Sequence, residues 1–74
     1  MPTPHTRKPA YRKFLTRLRQ ARREAGMTQV EAAKALRKPQ SFISRAESGD
    51  RRVDVIELQQ LARLYRKPIR FFFD

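Results

Sequence analysis

Cysteine is absent from the 74 residues, and histidine occurs once, at His5. Disulfide staples, thiol nucleophiles, zinc fingers and iron–sulfur sites are thereby excluded, and one histidine cannot build a His-based metal cluster. Acidic residues are scarce: 7 Asp and Glu stand against 18 Lys and Arg, leaving a formal charge of +11. No apolar run approaches the roughly 20 residues of a membrane helix. The first nine residues, MPTPHTRKP, also lack the apolar segment of a secretory signal. The expectation is one small cytoplasmic domain with no metal and no other cofactor. A charge of this size repels itself in a compact state and concentrates polyanions nearby, so nucleic acid is the first partner class to consider.

What is present reads as helices. Pro2, Pro4 and Pro9 make residues 1–9 a flexible basic N-terminal arm, ahead of a single domain over 10–74. Tyr11, Phe14, Leu15, Leu18, Ala21 and Ala25 recur at helical spacing and predict a first helix, stopped by Gly26, which takes a left-handed C-cap without a side-chain clash. Thr28-Gln29-Val30-Glu31 has the spacing of a capping box and opens a second helix over about 28–36, with Val30, Ala33 and Leu36 inward. Arg37-Lys38 lead into Pro39, which disfavours helix at Lys38 and suits the first turn of a third helix, about 39–48. On it Ile43 and Ala46 form the inward pair, while Gln40, Ser41, Ser44 and Arg45 fall largely on the open side. Beyond a loop bearing Arg51 and Arg52, Asp54-Val55-Ile56-Glu57 repeats the capping-box spacing. Val55, Leu58, Leu61, Ala62 and Tyr65 then predict the apolar face of a fourth helix. Arg66-Lys67-Pro68 ends that helix as Arg37-Lys38-Pro39 ended the second, leaving Ile69, Phe71, Phe72 and Phe73 to a short aromatic tail.

Two short helices joined by a tight turn, the second presenting Gln, Ser and Arg, match the geometry in which a helix enters the major groove. The set Thr28-Gln29, Glu31, Ala33, Leu36, Gln40-Ser41, Ile43-Ser44-Arg45, Glu47 and Gly49 resembles the helix-turn-helix of the XRE-like family, which includes phage-type repressor and Cro proteins. The likeness continues through Leu61-Ala62 to Phe72-Phe73. It implies an all-α fold, a compact five-helix lambda-repressor-like DNA-binding domain. It also implies that Gln40, Ser41, Ser44 and Arg45 face base edges or nearby backbone, that Gln29 contacts a phosphate and braces Gln40, and that Arg51 and Arg52 approach phosphates. The resemblance further implies that Arg22 pairs with Glu47 and that Phe72 and Phe73 occupy core positions. The side-chain chemistry agrees: Gln addresses adenine and Arg guanine with paired hydrogen bonds, each good pair supplying ~1–3 kcal/mol of discrimination. Phe42 either touches a thymine methyl or leans on Leu36 at the rim of the core.

The chain departs from the family where a glycine is common after the second helix. Arg37-Lys38 stand there, and a non-glycine residue forced to positive φ costs about 1–2 kcal/mol. Lys38 in that turn adds phosphate attraction. Ala32 and Ala46 replace frequent larger aliphatics, so the core is expected either to be thin or to be closed by Phe14, Phe42 and Tyr65 leaning inward.

The function expected is sequence-specific binding of double-stranded operator DNA by a transcriptional regulator, a repressor acting by occupancy. Catalysis is not expected, since no His lies near Ser41, Ser44, Asp50 or Glu57 to act as a base. One short helix reads few base pairs, so a homodimer engaging half-sites about 34–36 Å apart is implied. Three adjacent phenylalanines cannot all point inward from one turn. Phe71, with Ile69 or Leu64, is therefore expected to meet another subunit, the other reading being that Phe71 folds against the fourth helix. Two alternatives stand beside the regulator: an antitoxin-type protein that binds both operator and toxin, and a basic protein that binds nucleic acid without sequence preference.

Overall fold

The computed structural model describes residues 8–74. Among the described residues, four α-helices, α1 (Pro9–Glu24), α2 (Gln29–Ala35), α3 (Gln40–Ser48) and α4 (Val55–Tyr65), are followed by a single 3₁₀ turn, Ile69–Phe72. The all-α architecture with a helix-turn-helix is thus realised, with the last element a short 3₁₀ turn in place of a fifth α-helix. Of the basic arm over residues 1–9, positions 1–7 lie outside the described residues. Pro9 already belongs to α1, at an end where its missing N–H has no partner to lose.

Local chemistry sets the boundaries. Both capping boxes form: the Thr28 side chain accepts from the Glu31 amide at 3.1 Å while Glu31 accepts from the Thr28 amide at 2.9 Å. Asp54 and Glu57 do the same at 2.7 and 3.0 Å. Four helix-ending residues adopt positive φ, and the chain has only two glycines for them. Gly26 and Gly49 take two of these positions, Arg37 and Arg66 the others, both at φ 58.

The two arginines belong to a repeated six-residue device, Arg37-Lys38-Pro39-Gln40-Ser41-Phe42 and Arg66-Lys67-Pro68-Ile69-Arg70-Phe71. In each copy the lysine amide donates at 2.9 Å to a carbonyl five residues back, Ala33 or Ala62, and the phenylalanine amide donates to the proline carbonyl at 3.0 Å. The lysine ammonium then sits over the phenylalanine ring, 4.8 Å from the Phe42 centroid and 4.7 Å from that of Phe71. Proline starts the following helical turn, and the cation covers an aromatic face that the turn leaves at the surface.

The core runs through all five elements. Phe14, Leu15, Leu18 and Ala21 of α1 meet Ala32 and Ala33 of α2, Phe42, Ile43 and Ala46 of α3, Leu58, Leu61, Ala62 and Tyr65 of α4, and Phe72. Five of these are alanines, which let helix backbones approach closely, and Phe14, Phe42 and Tyr65 close the interior. Three expectations are corrected. Val30, in the first turn of α2, is 43% exposed, and the buried residues of that helix are Ala32 and Ala33. Val55, in the first turn of α4 ahead of the core residue Leu58, is 76% exposed. Phe73 is 61% exposed and stacks on Phe14 with ring centroids 6.3 Å apart, because Phe72 alone turns fully inward.

Candidate nucleic-acid interface

α3 packs against α1 and α2. Its inward side is Phe42, Ile43, Ala46 and Glu47. Gln40, Ser41 and Arg45 are exposed on the other side, and Ser44 is half-buried, its hydroxyl donating to the Ser41 carbonyl at 3.4 Å. The structure therefore brings the four base-reading candidates together on one outward helix face. No side chain caps α3, whose N-cap is Pro39, so Gln40 and Ser41 are not consumed in satisfying its first-turn amides.

The mount of this helix is ionic. Glu47, 3% exposed, receives both prongs of the Arg22 guanidinium, Nε at 2.6 Å and Nη2 at 3.1 Å. Arg22 also donates to the Met27 carbonyl at 2.9 Å, so one side chain of α1 holds the turn before α2 and the C-terminal end of α3. The hydrogen bond to Glu47 raises the already basic Arg22 guanidinium, opposed by desolvation. Gln29 joins the same carboxylate, its Nε2 donating to Oε1 at 3.2 Å. Its partner is therefore Glu47, where the bracing of Gln40 was expected. The Tyr65 hydroxyl lies buried nearby with no hydrogen-bond partner among the described residues, and desolvation pushes its pKa up.

The phosphate candidates divide. Arg52 is exposed; Gln29 and Lys38 are half-buried, on Glu47 and over Phe42 respectively. Arg51 is occupied: its guanidinium makes paired hydrogen bonds with Glu57 at 2.8 and 2.7 Å, donates to the Arg52 carbonyl and lies 4.8 Å from the centroid of Phe42. This pair holds the Glu57 carboxyl below the usual carboxylate range and fastens the loop between α3 and α4. Phe42 is only 6% exposed, and two cations lie over its ring. It belongs to the rim of the core.

The residues expected at a subunit contact fall in different surroundings. Leu64 is half-buried in a hollow between the end of α1 and the end of α4. Phe71 is half-buried, packs edge-on against Phe72, and lies under Lys67 and Arg17. Ile69 alone of the three is an exposed large apolar residue, and it shares a hollow with Val55, Ile56 and Phe73. Sequence reasoning missed the Arg51–Glu57 pair because Glu57 was already assigned to a capping box. A carboxylate has enough acceptor sites for both roles.

A short helix set across a tight turn from its predecessor, braced at its C-terminal end and presenting Gln, Ser and Arg to water, defines a helix-turn-helix DNA-binding domain. The comparison with known families agrees. The helix-turn-helix family HTH_3 matches residues 18–72, and the chain belongs to it. No curated protein and no solved structure matches the chain.

Proposed function

We propose that this protein is a sequence-specific transcriptional regulator of the XRE-like type, a repressor that occupies an operator in double-stranded DNA. The observation that carries the reading is the uncapped, outward face of α3 with Gln40, Ser41 and Arg45 exposed on a helix held by the Arg22–Glu47–Gln29 cluster. In this reading Gln40 and Arg45 select bases in the major groove, helped by Ser41 and Ser44, while Arg52 and Lys38 position the helix on phosphates. Arg51 contributes by holding the loop that carries Arg52. A helix of nine residues addresses few base pairs. Two copies on a two-fold symmetric operator supply the remaining specificity.

Selection of bound sequences from a randomised duplex pool tests this. A two-fold symmetric enriched site is expected, with Arg45→Ala or Gln40→Ala costing about 1–3 kcal/mol of binding and relaxing preference at single positions. Arg52→Ala is expected to weaken all sequences alike and to reduce the slope of log affinity against log salt by roughly one. A pool that returns no preferred sequence refutes the reading.

A further inference from the structure

The two basic turns are alike beyond their shared spacing. Phe42 carries two cations over its ring, Lys38 of its own turn and Arg51 from the loop after α3. Phe71 also carries two, Lys67 of its own turn and Arg17 of α1, at 4.7 and 5.2 Å from the centroid. In both places the arriving arginine is anchored by further hydrogen bonds. Arg51 holds Glu57 and the Arg52 carbonyl, and Arg17 donates twice to the Asp74 carbonyl, at 3.2 and 2.8 Å. The chain thus builds one cationic cradle twice, first at the start of α3 on the candidate nucleic-acid interface, and again after α4.

Each cradle opens with a strained arginine. Arg37 and Arg66 are exposed at φ 58, and their guanidinium groups have no partner among the described residues. Glycine takes the same backbone without strain, so what arginine adds at this position is its charge. Strain kept in this way marks a position used for function. Around the second cradle that charge is hardly opposed. Arg63, Arg66, Lys67 and Arg70 fall within eight residues, and no acid occurs between Glu57 and Asp74. Glu24 answers Lys67, while the three arginines stand exposed.

The fold keeps the two cradles apart. The first is fastened to Glu57 in the first turn of α4, and the second starts at Arg66, just past the last. The 11 residues of α4, about 16 Å at 1.5 Å per residue, lie between them. α1 divides them as well: its Arg22 reaches Glu47 of α3, whereas its Arg17 and Glu24 reach Phe71 and Lys67. A duplex lying along the outward face of α3 meets the first cradle and leaves the second to water.

We propose that Arg63, Arg66 and Arg70, around the Phe71 cradle, form a second nucleic-acid contact that takes the phosphate backbone of another double-stranded segment without reading its bases. Only the role given to the first cradle rests on the operator-binding reading. Guanidinium groups pair with phosphate oxygens, and contacts to phosphate position a duplex without carrying sequence information. The likeness to the cradle beside α3 favours duplex DNA over an acidic protein or an anionic lipid surface. A molecule seated on its operator through α3 then ties a second duplex to it.

Capture of one duplex by another tests this. An immobilised duplex carrying the selected site is saturated with the full chain and offered a labelled duplex without that site. Wild type is expected to retain the label at about 50 mM salt and to release it as salt rises, with a log–log slope near −0.9 per phosphate engaged. Arg63→Ala, Arg66→Gly and Arg70→Ala together are expected to lower retention by about tenfold or more, with affinity for the immobilised site kept within about twofold. Lysine at the same three positions should preserve most of the retention. Arg66→Gly alone separates binding from folding: its melting temperature is expected to rise while its retention falls, and a purely structural arginine would leave retention unchanged. Absence of retention by wild type overturns the proposal. Retention that survives the triple substitution overturns it too, since a second copy bridging through its own α3 would give that result. Capture of anionic phospholipid vesicles in place of the labelled duplex also refutes it. Where the randomised pool returns no preferred sequence, operator recognition alone fails, and the same comparison on an arbitrary immobilised duplex still decides the second contact.

Discussion

Glu47 concentrates the consequences of this fold in one side chain. It is buried and charged, and tolerable there because Arg22 and Gln29 satisfy both oxygens, with Arg19 Nε a further 3.9 Å from Oε1. Removing it takes the carboxylate from the Arg22 guanidinium and leaves it the Met27 carbonyl, in a site where its side chain is 11% exposed. Glu47→Ala is expected to cost about 3 kcal/mol and to loosen α3, weakening operator binding beyond the loss of stability. Glu24→Ala removes an exposed partner of Lys67 and should leave the melting temperature nearly unchanged. Denaturant unfolding of both variants checks the contrast, and equal midpoints would contradict it. Tyr65 offers the opposite case. Its hydroxyl is buried without a partner among the described residues, so Tyr65→Phe is expected to stabilise the domain by about 1 kcal/mol. A lower melting temperature for that variant would show that the hydroxyl is satisfied in solution. The Arg22–Glu47 pair was legible through the family resemblance. Gln29's partner and the stranded Tyr65 hydroxyl were not, because they depend on how three helices converge, a matter no local spacing encodes.

The helices themselves were legible almost to their ends. Capping boxes, prolines and glycines act through neighbours a few residues away, so Thr28-Glu31, Asp54-Glu57, Pro39 and Gly26 all did in the fold what their spacing implied. The two basic turns did so as well, at an energetic cost. Arg37 and Arg66 both stand in the left-handed region that glycine reaches without strain. Arg37→Gly and Arg66→Gly are each expected to stabilise the domain by about 1 kcal/mol, less the added freedom of the unfolded chain. For a domain of this size that corresponds to a rise of roughly 4–8 °C per kcal/mol in melting temperature. Arg66→Gly should do this without weakening operator binding. A fall in melting temperature for both variants would mean that the arginine side chains contribute more than the backbone strain costs. Which faces of these helices are buried was less legible: Val30 and Val55 are apolar residues in apolar patterns, yet both lie outward. Periodicity finds a face and its approximate direction, and the neighbouring helices decide its edges.

For the molecule as a unit, the few acids act as ties in an excess of bases. Glu57 is held below its ordinary value of 4.5 chiefly by Arg51, Glu24 chiefly by Lys67, and Glu31 by the Thr28 amide. A carboxyl whose folded pKa is depressed gives stability that is complete above its unfolded pKa and lost as pH falls through the folded one. Stability is therefore expected to hold between about pH 8 and pH 5 and to drop below about pH 4.5, where protonation also increases the net positive charge. Thermal unfolding followed at pH 3, 5 and 7 tests the direction. Glu57→Gln should lower the melting temperature at pH 7 and blunt the fall on acidification, and a domain that grows more stable in acid would refute the assignment.

Composition and short-range spacing settled the helical class, the order of helices, their caps and the outward set Gln40, Ser41 and Arg45, because each rests on charge balance or on residues within a turn of one another. Packing settled the rest. It spent Arg51 on Glu57, tied Gln29 to Glu47, put Phe42 under two cations, and left Phe73 exposed beside Val55 and Ile56. Those outcomes join residues far apart in the chain. They follow from the angles at which alanine-lined helices meet, and neither composition nor periodicity carries that information.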